Sequence, residues 1–281
     1  MPEIWAGRLG EFRASSTAGG GTALTATATY IPFPPIGTTI VPPKAQGHCF
    51  VTARNFATAE VVELTFNPWL TVLETNDAMA TDPTDWSVYA QDGSASTDID
   101  MDSFDTLANG DFLLIGSHIP FRGVQVDMDG SHLNSTDPST LSVNYWAGAW
   151  TDMSATDGTN TGTITMAQDG LVYWTVPSAW QMVKLIDIYP KITSTLYYAK
   201  TPMYWTRWYV SAALDADTLI DGMYAANRST SYGELLSGQC LEQRIDYGFN
   251  GFGCIEALAS DQGTANLIVN VATMKDGEFS G

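Results

Sequence analysis

Basic residues are scarce in this chain. It carries 12 lysines and arginines against 31 aspartates and glutamates over 281 residues, a net charge of −19. Such a surface repels phosphate backbones and anionic lipid headgroups. No basic patch interrupts it, so neither nucleic acid nor membrane is an expected partner. Cysteine is equally sparse. Cys49, Cys240 and Cys254 form an odd set without a C-x-x-C pair, which argues against a disulfide framework and for reduced thiols made in a cytosol. No apolar run reaches membrane-spanning length. Met1-Pro-Glu-Ile-Trp5 lacks the basic and apolar regions of an export signal, so synthesis in a host cytoplasm is the expectation.

Catalytic signatures are also missing. There is no G-x-S-x-G elbow, phosphate loop or dinucleotide fingerprint. Gly19-Gly-Gly-Thr22 lacks the lysine a phosphate loop needs. The three histidines, His48, His118 and His132, form no zinc-binding spacing. His48 and Cys49 are neighbours, and neighbours on a strand point to opposite faces. With 31 acids a carboxylate pair for glycoside hydrolysis can always be nominated, so the nomination carries no information. The expectation is a protein without enzymatic activity and without a cofactor.

What the chain has is strand chemistry. Hydrophobic residues make up 44% of it. The polar remainder is dominated by Thr, Ser, Asn and Gly, which suit strands and turns. Phe121 to Met128 alternates cleanly, with Val124, Val126 and Met128 on one side and Gly123, Gln125 and Asp127 on the other. Thr201 to Ser211 puts Tyr204, Thr206, Trp208 and Val210 on one face and Trp205, Arg207 and Tyr209 on the other. Aromatics on both faces predict burial on both, in a sandwich and under a loop or neighbour. Ala212 to Ala226 is the best helix candidate, and Ala265 to Met274 reads as a buried strand. The fold class expected is all-β, one or two sandwich or jelly-roll-like domains with an extended N-terminal arm.

The prolines between Ile31 and Lys44 make residues 1–45 the arm. Its apolar anchors Trp5, Phe12, Ile31, Phe33 and Ile36 suit contact with a neighbouring subunit, or with its own domain. Residues 46–95 form a first β region, with 216–281 available to complete it by a short helix and a strand. Residues 96–215 form the main β domain, after a boundary in the Asp-rich stretch near residue 95.

Two groups of side chains are candidate sites. Asp98, Asp100 and Asp102 alternate and could converge on a hard cation. As an EF-hand the segment fails, because Ser103 and Asn109 stand where Gly and Glu are required. A solvated acidic turn is the plainer reading, so no metal is expected. Tyr145, Trp146, Trp150, Trp174, Trp180, Trp205 and Trp208 can fill the core, form a subunit interface or line a sugar platform, with Asn144, Gln168 and Asp169 to hydrogen-bond hydroxyls.

The order of words from Gly110 to Arg207 carries a resemblance. Leu141-Ser-Val-Asn-Tyr-Trp-Ala-Gly-Ala-Trp150 is followed by Asp157-Gly-Thr159, then Asp169-Gly-Leu-Val-Tyr-Trp-Thr-Val-Pro-Ser-Ala-Trp180, and later Tyr204-Trp-Thr-Arg207. This resembles a β-rich module of tailed-bacteriophage virion proteins, over roughly residues 105–215. Such modules occur in head and tail proteins and bring no catalytic residues with them. The resemblance implies a virion structural protein, foremost a capsid decoration (cement) protein. That class implies self-association as a trimer and contact with the major capsid protein. The alternative is a tail or baseplate component that binds a host-surface glycan through exposed aromatics. A glycan-active enzyme is the third reading.

Overall fold

In the computed structural model the described residues are 9–14, 22–24, 27–32, 46–54, 61–227, 233–235, 239–246, 251–259 and 266–274. Their regular secondary structure is almost entirely antiparallel β-strand. The chain divides into two units, Met1–Asn67 with Arg228–Gly281, and Pro68–Asn227.

The first unit contains strands β1 (Leu9–Ala14), β2 (Thr22–Ala23), β3 (Thr29–Pro32), β4 (Gln46–Arg54) and β5 (Val62–Pro68). Late in the chain it adds β17 (Gly233–Leu235), β18 (Cys240–Asp246), β19 (Phe252–Ala259) and β20 (Asn266–Met274). One sheet has the order β1-β20-β4-β18, with β2 also on β20, and the other runs β17-β5-β19-β3. The stretch expected as an arm contributes β1, β2 and β3 to these sheets within the described residues. Phe12 stands opposite Ala272 on β20. Ile31 is buried opposite Ile255 on β19. Trp5, Phe33 and Ile36 lie outside the described residues. The buried Glu256 carboxylate accepts from Asn67 Nδ2 at 3.0 Å and from the Tyr30 hydroxyl at 3.4 Å. Cys254 is buried and Cys240 exposed. The side chain of Cys49 is outside the described set.

The second unit is built from β6 (Thr71–Thr75), β7 (Thr84–Asp85), β8 (Ile99–Asp100), β9 (Phe112–Ser117), β10 (Gly123–Met128), β11 (Leu141–Trp146), β12 (Trp150–Asp152), β13 (Gly170–Tyr173), β14 (Met182–Lys184), β15 (Pro202–Val210) and β16 (Leu219–Ala226). Two single-turn helices, α1 (Leu185–Ile188) and α2 (Tyr197–Lys200), lie between β14 and β15. A seven-stranded sheet has the order β12-β11-β15-β9-β6-β7, with β14 also on β15, and a four-stranded sheet runs β13-β10-β16-β8. Leu113, Ile115, Val143, Trp208 and Val210 of the larger sheet join Val124, Val126, Val172, Ile220 and Met223 of the smaller one in a single buried cluster. The unit is therefore a β-sandwich, and the alternation of β10 and β15 is what aims these residues inward.

The other face of β15 is covered too. Trp205 is fully buried and its ring N–H donates to the Val183 carbonyl at 3.1 Å. Tyr189 stacks on Phe112 with centroids 5.9 Å apart. Leu185, Ile192, Tyr198 and Ala199 of the α1–α2 stretch are buried. A large sheet with two apolar faces needs such a cover, and the chain supplies it between β14 and β15.

Two expectations are corrected. The boundary falls at residues 67/68 and not near 95. Residues 68–95 contribute two strands to the larger sheet, β6, which pairs with β9 from Thr71↔Gly116 to Thr75↔Phe112, and β7, which pairs with β6. The expected helix in 212–226 is instead strand β16, paired with β10 from Gly123↔Ala226 to Met128↔Ile220. Its alanines favour helix, but Gly222 weakens one, and burial of Ile220, Met223 and Ala225 against the sandwich fixes the extended form.

Candidate functional site

The motif words first build a scaffold. Asp157 Oδ1 accepts from the backbone N–H of Thr159 at 2.8 Å and from its hydroxyl at 2.6 Å, while Oδ2 accepts from the Thr165 hydroxyl at 2.6 Å. One carboxylate thus ties a turn to the strand return, as short Asx motifs do. Gly158 and Gly170 let that turn press on β13: a Cβ on Gly170 would lie 2.1 Å from the Gly158 carbonyl oxygen. The Asp169 carboxylate accepts from the Met128 N–H at 2.8 Å. Gln168 Nε2 donates to the carbonyls of Gly158 and Asn160 at 3.1 and 3.0 Å. The polar groups expected to meet sugar hydroxyls near the Trp174 strand are thus engaged in holding the backbone.

The seven aromatics separate into two groups. Trp174, Trp180, Trp205 and Trp208 are buried. Tyr145 is half-buried and packs on the core, 6.5 Å from the Trp180 ring. Phe121 sits between Trp174 and Trp180 at 5.4 and 5.3 Å, and Trp174 meets Trp208 edge-on at 6.3 Å. The four buried indoles donate to the Phe121 carbonyl, the Trp205 carbonyl, the Val183 carbonyl and the Thr206 hydroxyl. Each ring therefore buries its area without orphaning its polar atom. Trp146 and Trp150 are different. They face each other across the β11–β12 hairpin, half-buried, with centroids 5.3 Å apart on the outer face of the larger sheet.

Beside them lies Arg207. Its guanidinium is 4.9 Å from the Trp150 ring centroid, 5.7 Å from Phe112 and 5.9 Å from Tyr209. Nη2 donates to Asn144 Oδ1 at 3.1 Å, and Trp150 Nε1 donates to the Tyr189 hydroxyl at 3.2 Å. Burial pushes the Tyr189 phenol up, against the pull of the neighbouring cation.

The three aspartates expected to converge do not. Asp98 joins Asp129 and Asp221, with one carboxylate oxygen from each within 4.8 Å of the others. Asp100 and Asp102 instead line a cleft of about 240 Å3 with Glu74, Asp77, Asp82 and Trp86. Ile99 and Met101, both fully buried, turn this short segment so that its carboxylates serve two places. In the first, burial and then the Asp98 carboxyl push Asp221 up to about 6. Asp129 is held below the ordinary carboxylate range by the Ser131 N–H and by His132, whose ring nitrogen is 2.8 Å away. The hydrogen bond to Asp129 raises His132 in turn. Three such oxygens have the spacing of part of a hard-cation shell, which needs six to eight ligands.

In the cleft, burial raises the Glu74 carboxyl, opposed by the Trp86 N–H at 2.7 Å and assisted by the charges of Asp100, Asp111 and Asp102. Asp77 is lowered, chiefly by the Thr81 hydroxyl. His118 is half-buried, and burial lowers its pKa. The sequence pattern did not single out Asp221 or Glu74, because each is an isolated acid on a strand whose partners come from elsewhere in the fold.

No known protein family matches this chain, and no curated protein or solved structure is similar to it.

Proposed function

We propose that this chain is a non-enzymatic structural protein of a tailed-phage virion, a decoration (cement) protein that stabilises the head through contacts with copies of itself and with the major capsid protein. The observation that carries this reading is the use to which the resembling words are put. Asp157-Gly-Thr159 locks a turn, Gly170 admits it against β13, and Trp174, Trp180, Trp205 and Trp208 fill the sandwich. A module kept for shape is what a building block requires. A net charge of −19 keeps many copies apart until a lattice brings them together.

The test is addition of the purified chain to expanded, undecorated capsids of the parent phage. Binding that saturates at a fixed copy number, and capsids that disrupt at a higher temperature, are the expected results. Capsids that bind none of it would exclude the head assignment. A tail or baseplate role in glycan binding is favoured by one observation, the half-exposed Trp146–Trp150 pair beside Arg207.

A further inference from the structure

We infer that the β11–β12 edge of the seven-stranded sheet's outer face binds an acidic sugar, a pyranose bearing one carboxylate, through Arg207 and the indoles of Trp146 and Trp150. This goes beyond the structural role above and holds wherever on a virion the chain resides.

The first ground is an unanswered charge. Acids outnumber bases 31 to 12 in this chain, yet among the described residues Arg207 makes no ion pair. The groups that accept from it, Asn144 Oδ1 and the Tyr189 hydroxyl, are both neutral. Its Nε is buried with no acceptor among the described residues. The three surrounding rings hold the cation by their π faces without neutralising it. Stacking accounts for where the guanidinium lies, but it leaves the half-exposed cation without a counter-ion, which a carboxylate would supply in a charge-assisted pair.

The second ground is what stands beside it. Strand pairing places Asn144 next to Arg207, Ser142 next to Tyr209, and Trp146 opposite Trp150. By the alternation of the strands these residues share one face. Trp146, Trp150, Tyr209, Ser142 and Arg207 are all half-buried. An indole face suits the C–H surface of a pyranose, and Ser142 stands on the same sheet face with a hydroxyl to offer its hydroxyls. A single guanidinium matches a single carboxylate on an otherwise neutral ring. A polyphosphate would need a track of cations, which this acidic surface lacks. Asp152 is exposed and pairs with Asn144, two strands from Arg207. At about 10 Å it weakens the attraction without occupying the cation.

The experiment titrates the full chain with glucuronate, N-acetylneuraminate, glucose and a Glu-Glu dipeptide, read by calorimetry and tryptophan fluorescence. Both acidic sugars are expected to bind in the millimolar range, more weakly as salt rises, and glucose and the dipeptide are not. Arg207→Gln is expected to lose binding by about tenfold or more, the loss of a charge-assisted pair. Asp152→Asn, an exposed change that leaves the core alone, is expected to tighten binding about two- to threefold by removing the like charge. That gain cannot come from misfolding, so the idea remains testable if Arg207→Gln fails to fold. Absence of acidic-sugar binding by both wild type and Asp152→Asn would overturn the inference. Equal binding of glucose, or preference for the dipeptide, would overturn it as well.

Discussion

Substituting Gly170 by alanine tests the scaffold reading at its tightest point. The added methyl would sit 2.1 Å from the carbonyl oxygen of Gly158, 2.3 Å from its carbonyl carbon and 2.6 Å from the Thr159 nitrogen. All three are backbone atoms, so no side chain can rotate away. To reach ordinary contact at about 3.4 Å, β13 and the Asp157–Thr159 turn must separate by roughly 1 Å. That stretches the Gly158 N–H bond to the Leu171 carbonyl, now 3.1 Å, and loosens the turn held by Asp157. Overpacking of this kind costs about 1–3 kcal/mol and each weakened buried hydrogen bond about 1 kcal/mol. The total expected is about 3 kcal/mol. Gly130→Ala is the matched control, because a Cβ there meets nothing within 4 Å. Urea unfolding followed by tryptophan fluorescence reads this unit almost alone, since every tryptophan except Trp5 lies within Pro68–Asn227. A loss under 1 kcal/mol for Gly170→Ala, or equal losses for the two variants, would refute the reasoning.

Two further predictions concern charge. The Asp221 carboxyl titrates at about 6 in the folded chain against an ordinary 3.8. Its folded-state pKa is raised, so the stability it contributes is present below pH 3.8 and is lost as pH rises through about 6. A displacement of this size corresponds to at most about 3 kcal/mol, which solvent screening at this part-exposed position reduces to about 1 kcal/mol. Asp221→Asn should therefore flatten the fall in stability between pH 4 and 6, as measured by urea unfolding across that range; an unchanged slope would contradict the assignment. Glu74 is likewise raised by burial. Glu74→Gln keeps an acceptor for the Trp86 N–H while removing the charge, and should leave the melting temperature at pH 7 equal or higher. A clear drop would mean that the carboxylate itself holds the cleft together.

Much of the second unit is legible in the residues alone. The alternation of Val124, Val126 and Met128 gives a half-buried strand, and the two aromatic faces of Tyr204 to Val210 give a strand covered on both sides. Local rules succeed there because each strand carries its own inward and outward set. They fail at Leu219–Ala226, where alanines and a glycine speak weakly and the pairing with β10 decides. They fail again for the acids. Asp98, Asp100 and Asp102 look like one cluster because they are close in sequence, but a carboxylate group is assembled by strand neighbours, and Asp129 and Asp221 come from β10's end and β16. Arg207 shows the same limit. Its position in Tyr204-Trp-Thr-Arg207 marks an outward face, while the ring cage around it depends on the hairpin of Trp150 and on Phe112, 95 positions earlier in the numbering than Arg207.

The most direct trial of the virion reading is immunogold labelling of intact particles with antibody raised against the purified chain. The account predicts gold distributed over the head surface in many copies, lost from particles stripped of the protein. Label confined to the tail tip, or absent from particles altogether, would contradict it.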